Sequence, residues 1–462
     1  MKKQNRIAFY NILSVLILKG ISVFTAPLFS RMLGTAGYGV VSVYDIWVTA
    51  LAIVFTLQTH GTLPAARVEY SDEKFHQYQS SVMVLSLMTF GAFAAVAAIF
   101  CRPIAGMLKL PTILVPMILV NAFCSFCVQF LNNKFVYEYR ADLNCLISVA
   151  VAVLTVVLSV LFILWMPEGY NYYGRILAVL VTYSVVGVGS FLYVLHSGRV
   201  GCNREFWQFC IPLAIPLVFY NLSDLLLGQS DRVMLNDMLG EAAVGVYSLA
   251  LNFGGIMFTI FGARNTSWCP FFFEDMKYGR QESIHRQARN FMELYTVLSA
   301  GFLLLAPEVF RVFAREDFWE GLGWIPLFVT GYYMNFLCTF PINYDYYCKK
   351  TKAVAVVTIL ASVVNIGLNA VLIRRVGIAG AAIATTVSHM LQFTLHYLYA
   401  RYRLGGEDYP FGIRRWLPYT AAYFGAVTVA MLLPGGWLLR WGLGAMLGVW
   451  ELRQIYRRKS LL

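Results

Sequence analysis

Lys19, Asp45, Asp224 and Asp231 each interrupt a long run of apolar residues, while Arg31, Arg232 and Arg264 stand at the ends of such runs. A charge held in hydrocarbon costs about 2.5–3.5 kcal/mol on insertion scales, so it faces a partner or a water-filled cavity. The cations have the chemistry for charge-assisted contacts to phosphate or carboxylate groups. The aspartates can serve as counter-ions or as groups that bind a coupling ion. A blander reading stands beside each of these. The three arginines can snorkel to the interface along their apolar stems, and Asp231 beside Arg232 can be a local pair that fixes a loop. Lys19 is the hardest to explain away, because it sits midway along its run. His389 and His396 read as packing or interfacial histidines. Pro27, Pro212 and Pro216 fall within two of the runs, where proline removes a backbone hydrogen bond and bends a helix. They are candidate hinges, as are Gly34, Gly39, Gly240 and Gly245.

Little else in the sequence points to chemistry. Cys124 and Cys127 form a CxxC on an apolar segment with no second pair, and the nine cysteines are scattered as packing thiols. No metal site and no catalytic constellation is expected. No GxxxxGK[ST] loop is present to bind a nucleotide phosphate.

These residues are positioned by apolar spans. Hydrophobic residues make up 59% of the chain and charged residues 13%, about half the charge a soluble domain carries. A crossing of the bilayer needs about 20 mostly apolar residues. Segments of that kind fall near 8–29, 40–60, 81–101, 113–131, 142–166, 174–195, 208–230 and 243–262. Others follow near 292–313, 324–342, 353–373, 379–400, 415–433 and 436–450. The last pair is short, so twelve or thirteen spans also fit. The fold class is all-α and polytopic, with about fourteen helices. Lys2, Lys3 and Arg6 precede an apolar run too long for a cleaved signal, which reads as the first span.

With the N-terminus inside, the inward segments carry 25 of the 36 Lys and Arg, the outward segments 10, and Lys19 the last. That bias places the N-terminus and, for an even span count, the C-terminus in the cytoplasm. It also accounts for the net charge of +12 without nucleic acid. The longest segment outside the spans, 262–291, runs from Trp268, Pro270 and three phenylalanines to Arg280, Arg286 and Arg289. This order suits an amphipathic helix lying on the inner surface.

MLGTAGYGVVS (32–42) follows the first span, and MLGEAAVGVYS (238–248) follows the seventh. VGIAGAAIATT (376–386) echoes them after the eleventh. Gly34 and Gly240 are expected to end helices in left-handed caps, and Gly39 and Gly245 to let the next helix start close against a neighbour. An even number of spans separates the two copies, so the halves are parallel repeats. The expected parts are an N-lobe over 1–200, a C-lobe over 201–405, and two further spans with a tail over 406–462. Equivalence of the first and seventh helices brings Lys19 and Asp224 near one another across a cleft between the lobes.

The chain resembles the polysaccharide-export (Wzx-type oligosaccharide flippase) branch of the multidrug/oligosaccharidyl-lipid/polysaccharide exporter superfamily. Pro27…Arg31-Met-Leu-Gly34…Tyr38-Gly39 and Asp231-Arg232…Gly240…Gly245-Val-Tyr247-Ser248 carry the resemblance, together with Gly377-Ile-Ala-Gly380-Ala-Ala-Ile-Ala384. It implies two six-helix bundles around a central cavity. It also implies export of polyprenyl-diphosphate-linked oligosaccharides by alternating access, without catalysis, alongside membrane lipids and other polysaccharide-assembly proteins. No cofactor is expected; coupling to membrane potential, H+ or Na+ is left open. A drug or cation antiporter of the same superfamily needs an acidic cavity, and Lys19 leans against it. A membrane glycan polymerase or ligase needs a sizeable outward loop, and the longest here, such as 314–323, are short.

Overall fold

The structure is a computed structural model that describes residues 3–406, 409–433 and 435–458. The side chains of 3–16, 19, 22, 23, 263, 266, 267, 351 and 458 lie outside that description, and the Lys19 side chain with them. The described residues are mostly helical and form no strand. In lipid every backbone N–H and C=O must be paired within its own segment, which long apolar helices achieve. Eleven of the helices are long and apolar enough to cross a membrane, and Leu417–Leu432 is a shorter apolar one.

Contacts divide the chain into two compact units, Met1–Gly245 and Val246–Leu462. The first holds α1 (Lys3–Phe55), α2 (Leu63–Glu69), α3 (Asp72–Ile99), α4 (Cys101–Leu108), α5 (Leu114–Tyr137), α6 (Ala141–Trp165), α7 (Asn171–Gly198) and α8 (Arg204–Leu239). The second begins within α9 (Glu241–Lys277) and continues through α10 (Gln281–Phe313), α11 (Ile325–Tyr347), α12 (Thr351–Val376) and α13 (Ile378–Leu398). It closes with α14 (Leu417–Leu432) and α15 (Trp437–Arg458). The lobes expected from the repeat divide at residue 200, ahead of α8; the contact-based units divide after it.

The repeat is built into the backbone. The first two expected spans are the two arms of α1, broken at Gly34 (φ 66°, ψ −178°). Gly240 (φ 87°, ψ 178°) makes the same break between α8 and α9. These angles are positive in φ but extended in ψ, a region open essentially to glycine alone. They replace the left-handed caps expected, because each break must redirect a helix rather than end one. A Cβ on Gly39 would fall 1.9 Å from the Glu241 carbonyl oxygen, and one on Gly245 would fall 1.9 Å from that of Thr35. Thr35 and Glu241 are themselves equivalent, so the two turns cross backbone to backbone in a reciprocal contact. The same offset of 206 residues (34 to 240, 39 to 245) also relates Gly174 to Gly380. A Cβ at either would strike the backbone of the preceding helix, 2.7 Å from Phe162 and 2.4 Å from Leu372.

In the first unit, Phe75, Tyr78, Val82, Phe126, Phe130, Phe206 and Cys210 form a buried core between α3, α5 and α8. Beside it the Lys134 ammonium, 1% exposed, meets Glu138 at 2.7 Å. It also donates to Gln79 Oε1 at 2.5 Å and Ser197 Oγ at 3.2 Å, with His76 Nδ1 3.0 Å away. The outer faces are apolar: Leu146, Leu161, Leu164 and Trp165 on α6 are all exposed.

The second unit is knit by aromatic rings. The expected amphipathic surface helix over 262–291 is not found. Instead α9 runs unbroken to Lys277 and α10 starts at Gln281. Trp268 and Phe272 are each 1% exposed, with Trp268 edge-on to Phe291, Phe340 and Phe411 and Phe272 tilted against Phe411. Those rings found apolar partners inside the unit, which gains more than resting on a membrane surface. His396 and Asp345 are both fully buried, with Nδ1 2.8 Å from Oδ2. α14 and α15 pack on α10, where buried Arg440 donates to the Leu304 carbonyl at 3.0 Å and pairs with Glu308.

Candidate functional site

A cavity of about 1080 Å³ lies within the first unit. Its walls come from both arms of α1 and from α5, α6, α7 and α8. Asp45 and Thr49 face it from the second arm of α1, Thr155 from α6, and Arg175 and Tyr183 from α7. On α5 the lining residues are Asn121, Ser125, Gln129, Asn132 and Asn133, a polar stripe at helical spacing. Asn221, Asp224 and Gln229 form a second stripe on α8. This stripe begins just past Pro216, so the two prolines of α8 lie on one side of it.

One end of the cavity is lined by a turn rather than a helix. After α1, Leu57 (φ 53°) and Gln58 (φ 50°) both take left-handed angles, which non-glycine residues adopt rarely. Hydrogen bonds hold this strained turn: Thr59 Oγ1 to Ser86 Oγ at 2.6 Å and Thr62 Oγ1 to the Tyr78 hydroxyl at 2.7 Å. Gln58 and His60 are thereby presented to the cavity, and the His60 ring packs edge-on against Phe126.

Arg175 is fixed on two sides. Its Nη1 donates to Ser159 Oγ at 2.6 Å, and its guanidinium carbon lies 4.5 Å from the centre of the Phe29 ring. Asp45 lies within electrostatic reach of Arg175 and Arg232. The described lining thus holds two carboxylates, Asp45 and Asp224, against one guanidinium. That balance differs from the cationic cavity the sequence suggested.

The structure separates the other candidates. Asp231, inside α8 rather than in a loop, is 2% exposed, and its Oδ1 accepts the Arg232 backbone N–H at 2.8 Å. Arg31 is exposed and outside the lining. Arg264 belongs to the second unit, its guanidinium 5.2 Å from the Phe291 ring centre. All three guanidinium nitrogens of Arg264 are buried without a hydrogen-bond partner among the described residues. Asp224 lies on the cavity wall, while its expected neighbour Lys19 is outside the described residues, although Leu18 and Ile21 do line the cavity. Two features of the site escape a reading of the sequence: Arg175, which counts there as an outward-loop cation, and the whole α5 stripe. The spacing of Asn121, Ser125, Gln129, Asn132 and Asn133 is the signal that could have found the stripe. His396, expected to be a packing residue, has Asp345 as a partner. Among the described residues no group of three or more His, Cys, Asp or Glu could hold a metal ion.

Apolar helices of membrane-crossing length around a partly open, polar-lined cavity define a multi-pass membrane transporter. Residues 6–276 match the family described as polysaccharide biosynthesis protein, so the chain belongs to that family. Residues 277–449 match a second family, described as lipid II flippase MurJ. A protein of the Lsg locus of Haemophilus influenzae is 22% identical over 361 residues, covering 74% of this chain and 84% of that one. The fold is shared with lipid II flippase MurJ in an inward closed conformation, at a TM-score of 0.69 and 13% identity, covering 98% of this chain and 99% of that one. It is also shared with an inward-facing MATE transporter of the MOP superfamily, at 0.64 and 17%, covering 84% and 98%. The chain is a flippase-type membrane protein, and the families that it matches are those of transporters rather than enzymes.

Proposed function

We propose that this protein moves polyprenyl-diphosphate-linked oligosaccharide units, of the O-antigen, capsule or exopolysaccharide kind, from the cytoplasmic to the outer leaflet by alternating access. The observation that carries the reading is the cavity: large, partly open, lined by polar groups, and walled by helices whose far faces are apolar. Sites for drug-sized molecules measure about 300–1,000 Å³, so a cavity of about 1080 Å³ suits a multi-sugar head. Two parallel lobes, each carrying one copy of the glycine turn, are the moving parts, in a cell membrane with both termini inside.

A drug or cation antiporter is the second reading, favoured by one observation: Asp45 and Asp224 outnumber Arg175 in the described lining. The family match favours the first.

The deciding experiment uses the full chain in proteoliposomes with a fluorescent polyprenyl-diphosphate disaccharide. Protein-dependent exposure of the label to an external quencher is expected, and Arg175→Ala is expected to reduce the rate at least tenfold. Uptake of a small organic cation with no movement of the lipid would establish the antiporter instead.

A further inference from the structure

Seven amide side chains line the cavity, and they are distributed rather than clustered. Asn121, Gln129, Asn132 and Asn133 follow one face of α5 over twelve residues, about 18 Å of helix. Asn221 and Gln229 face the same space from α8, and Gln58 from the strained turn. In a membrane interior, seven amides are costly unless something uses them: a buried amide left without a partner loses about 1–3 kcal/mol. They do not satisfy one another. The carbonyl oxygens of Asn121, Asn132 and Gln229 are buried without a hydrogen-bond partner among the described residues. Asn133 donates to the Gln129 carbonyl and Asn221 to the Leu217 carbonyl, each back to its own helix. Asn121 donates to the Tyr44 hydroxyl over a long 3.4 Å.

An amide offers two donors and an acceptor in one plane, the complement of a sugar's vicinal hydroxyls or of an N-acetyl group. Tyr137 and Tyr183 supply aromatic surface in the same walls.

We infer that the amides of the first-unit cavity read the hydroxyl and N-acetyl groups of the lipid-linked sugar. The inference rests on the flippase reading above and specifies the head group that reading leaves open.

The test measures binding of two lipids to the purified full chain in detergent: a polyprenyl diphosphate, and the same lipid carrying an N-acetylhexosamine disaccharide. The glycolipid is expected to bind about tenfold more tightly than the bare lipid. Gln129→Ala and the double variant Asn132→Ala/Asn133→Ala, screened for unchanged melting temperature, should bring the ratio of glycolipid to bare lipid down toward one. Each hydrogen bond lost removes about three- to tenfold in affinity. Equal binding of the two lipids, or a ratio untouched by the amide variants, overturns the inference while leaving the flippase reading intact. Binding of neither lipid overturns both.

Discussion

Lys134 shows how a single residue can be tied into the fold from several helices yet be invisible as such in the sequence. Its ammonium is 1% exposed and held by Glu138, Gln79 and Ser197, whereas Glu138 retains 14% exposure. Removing one partner of a buried pair costs about 3–5 kcal/mol, because it strands a charge. Glu138→Ala should therefore lower the melting temperature in detergent sharply. Lys134→Met should do less, since Glu138 can turn to water. The double variant Lys134→Met/Glu138→Leu should sit closer to wild type than Glu138→Ala. A Glu138→Ala protein as stable as the parent would show that Lys134 reaches solvent. The sequence could place Lys134 near the end of a span but not against His76 or Ser197, which come from α3 and α7. Arg175 was hidden in the same way. Its position at the start of a span is equally that of a loop cation, and only the packing of α6 against α7 turns it onto Ser159. Asp45 and Asp224 were legible, because the cost of an acid inside an apolar run obliges it to face a cavity or a partner.

Helix positions and turns were largely legible, since a span is a property of composition and the repeat needs only matching letters. The 262–291 segment shows the limit. Its aromatic-then-basic order fits a membrane surface as well as an aromatic core, and tertiary packing chose the core. At the crossing of the repeated turns, spacing fixed the outcome. Gly39 and Gly245 leave no room for a Cβ, because the obstructing atoms are the backbone carbonyls of Glu241 and Thr35. Gly39→Ala and Gly245→Ala should each push α1 and α9 apart, abolish lipid movement in proteoliposomes and lower the melting temperature. Gly37→Ala is the matched control. Its Cβ would meet only side-chain carbons of Leu33 and Tyr172 at 3.4 and 3.6 Å, close to ordinary contact. Similar losses at Gly37 and Gly39 would refute the crossing as the cause. Gly34→Ala tests the break itself, where a non-glycine residue costs about 1–3 kcal/mol in strain.

For the whole molecule, the question is what drives transport outward. The sequence carries no phosphate-binding loop for ATP, and the proposed substrate carries its own driving force. Moving one charge across 100 mV is worth about 2.3 kcal/mol, so a diphosphate head with roughly two negative charges is driven outward by about 4–5 kcal/mol in a cell negative inside. That corresponds to roughly a thousandfold bias between leaflets at equilibrium. A protein working this way needs no coupling ion, only a cavity that shields the head while the apolar outer faces stay in lipid. Proteoliposomes with a potassium diffusion potential can separate the alternatives. With the interior held negative and no pH or sodium gradient, the labelled lipid should accumulate in the outer leaflet. Collapsing the potential should return the leaflets to near parity, and reversing it should reverse the bias. Accumulation that ignores the potential but follows a proton or sodium gradient would assign the energy to an ion instead. Asp45→Asn and Asp224→Asn would then be the variants to compare, since theirs are the carboxylates that line the cavity.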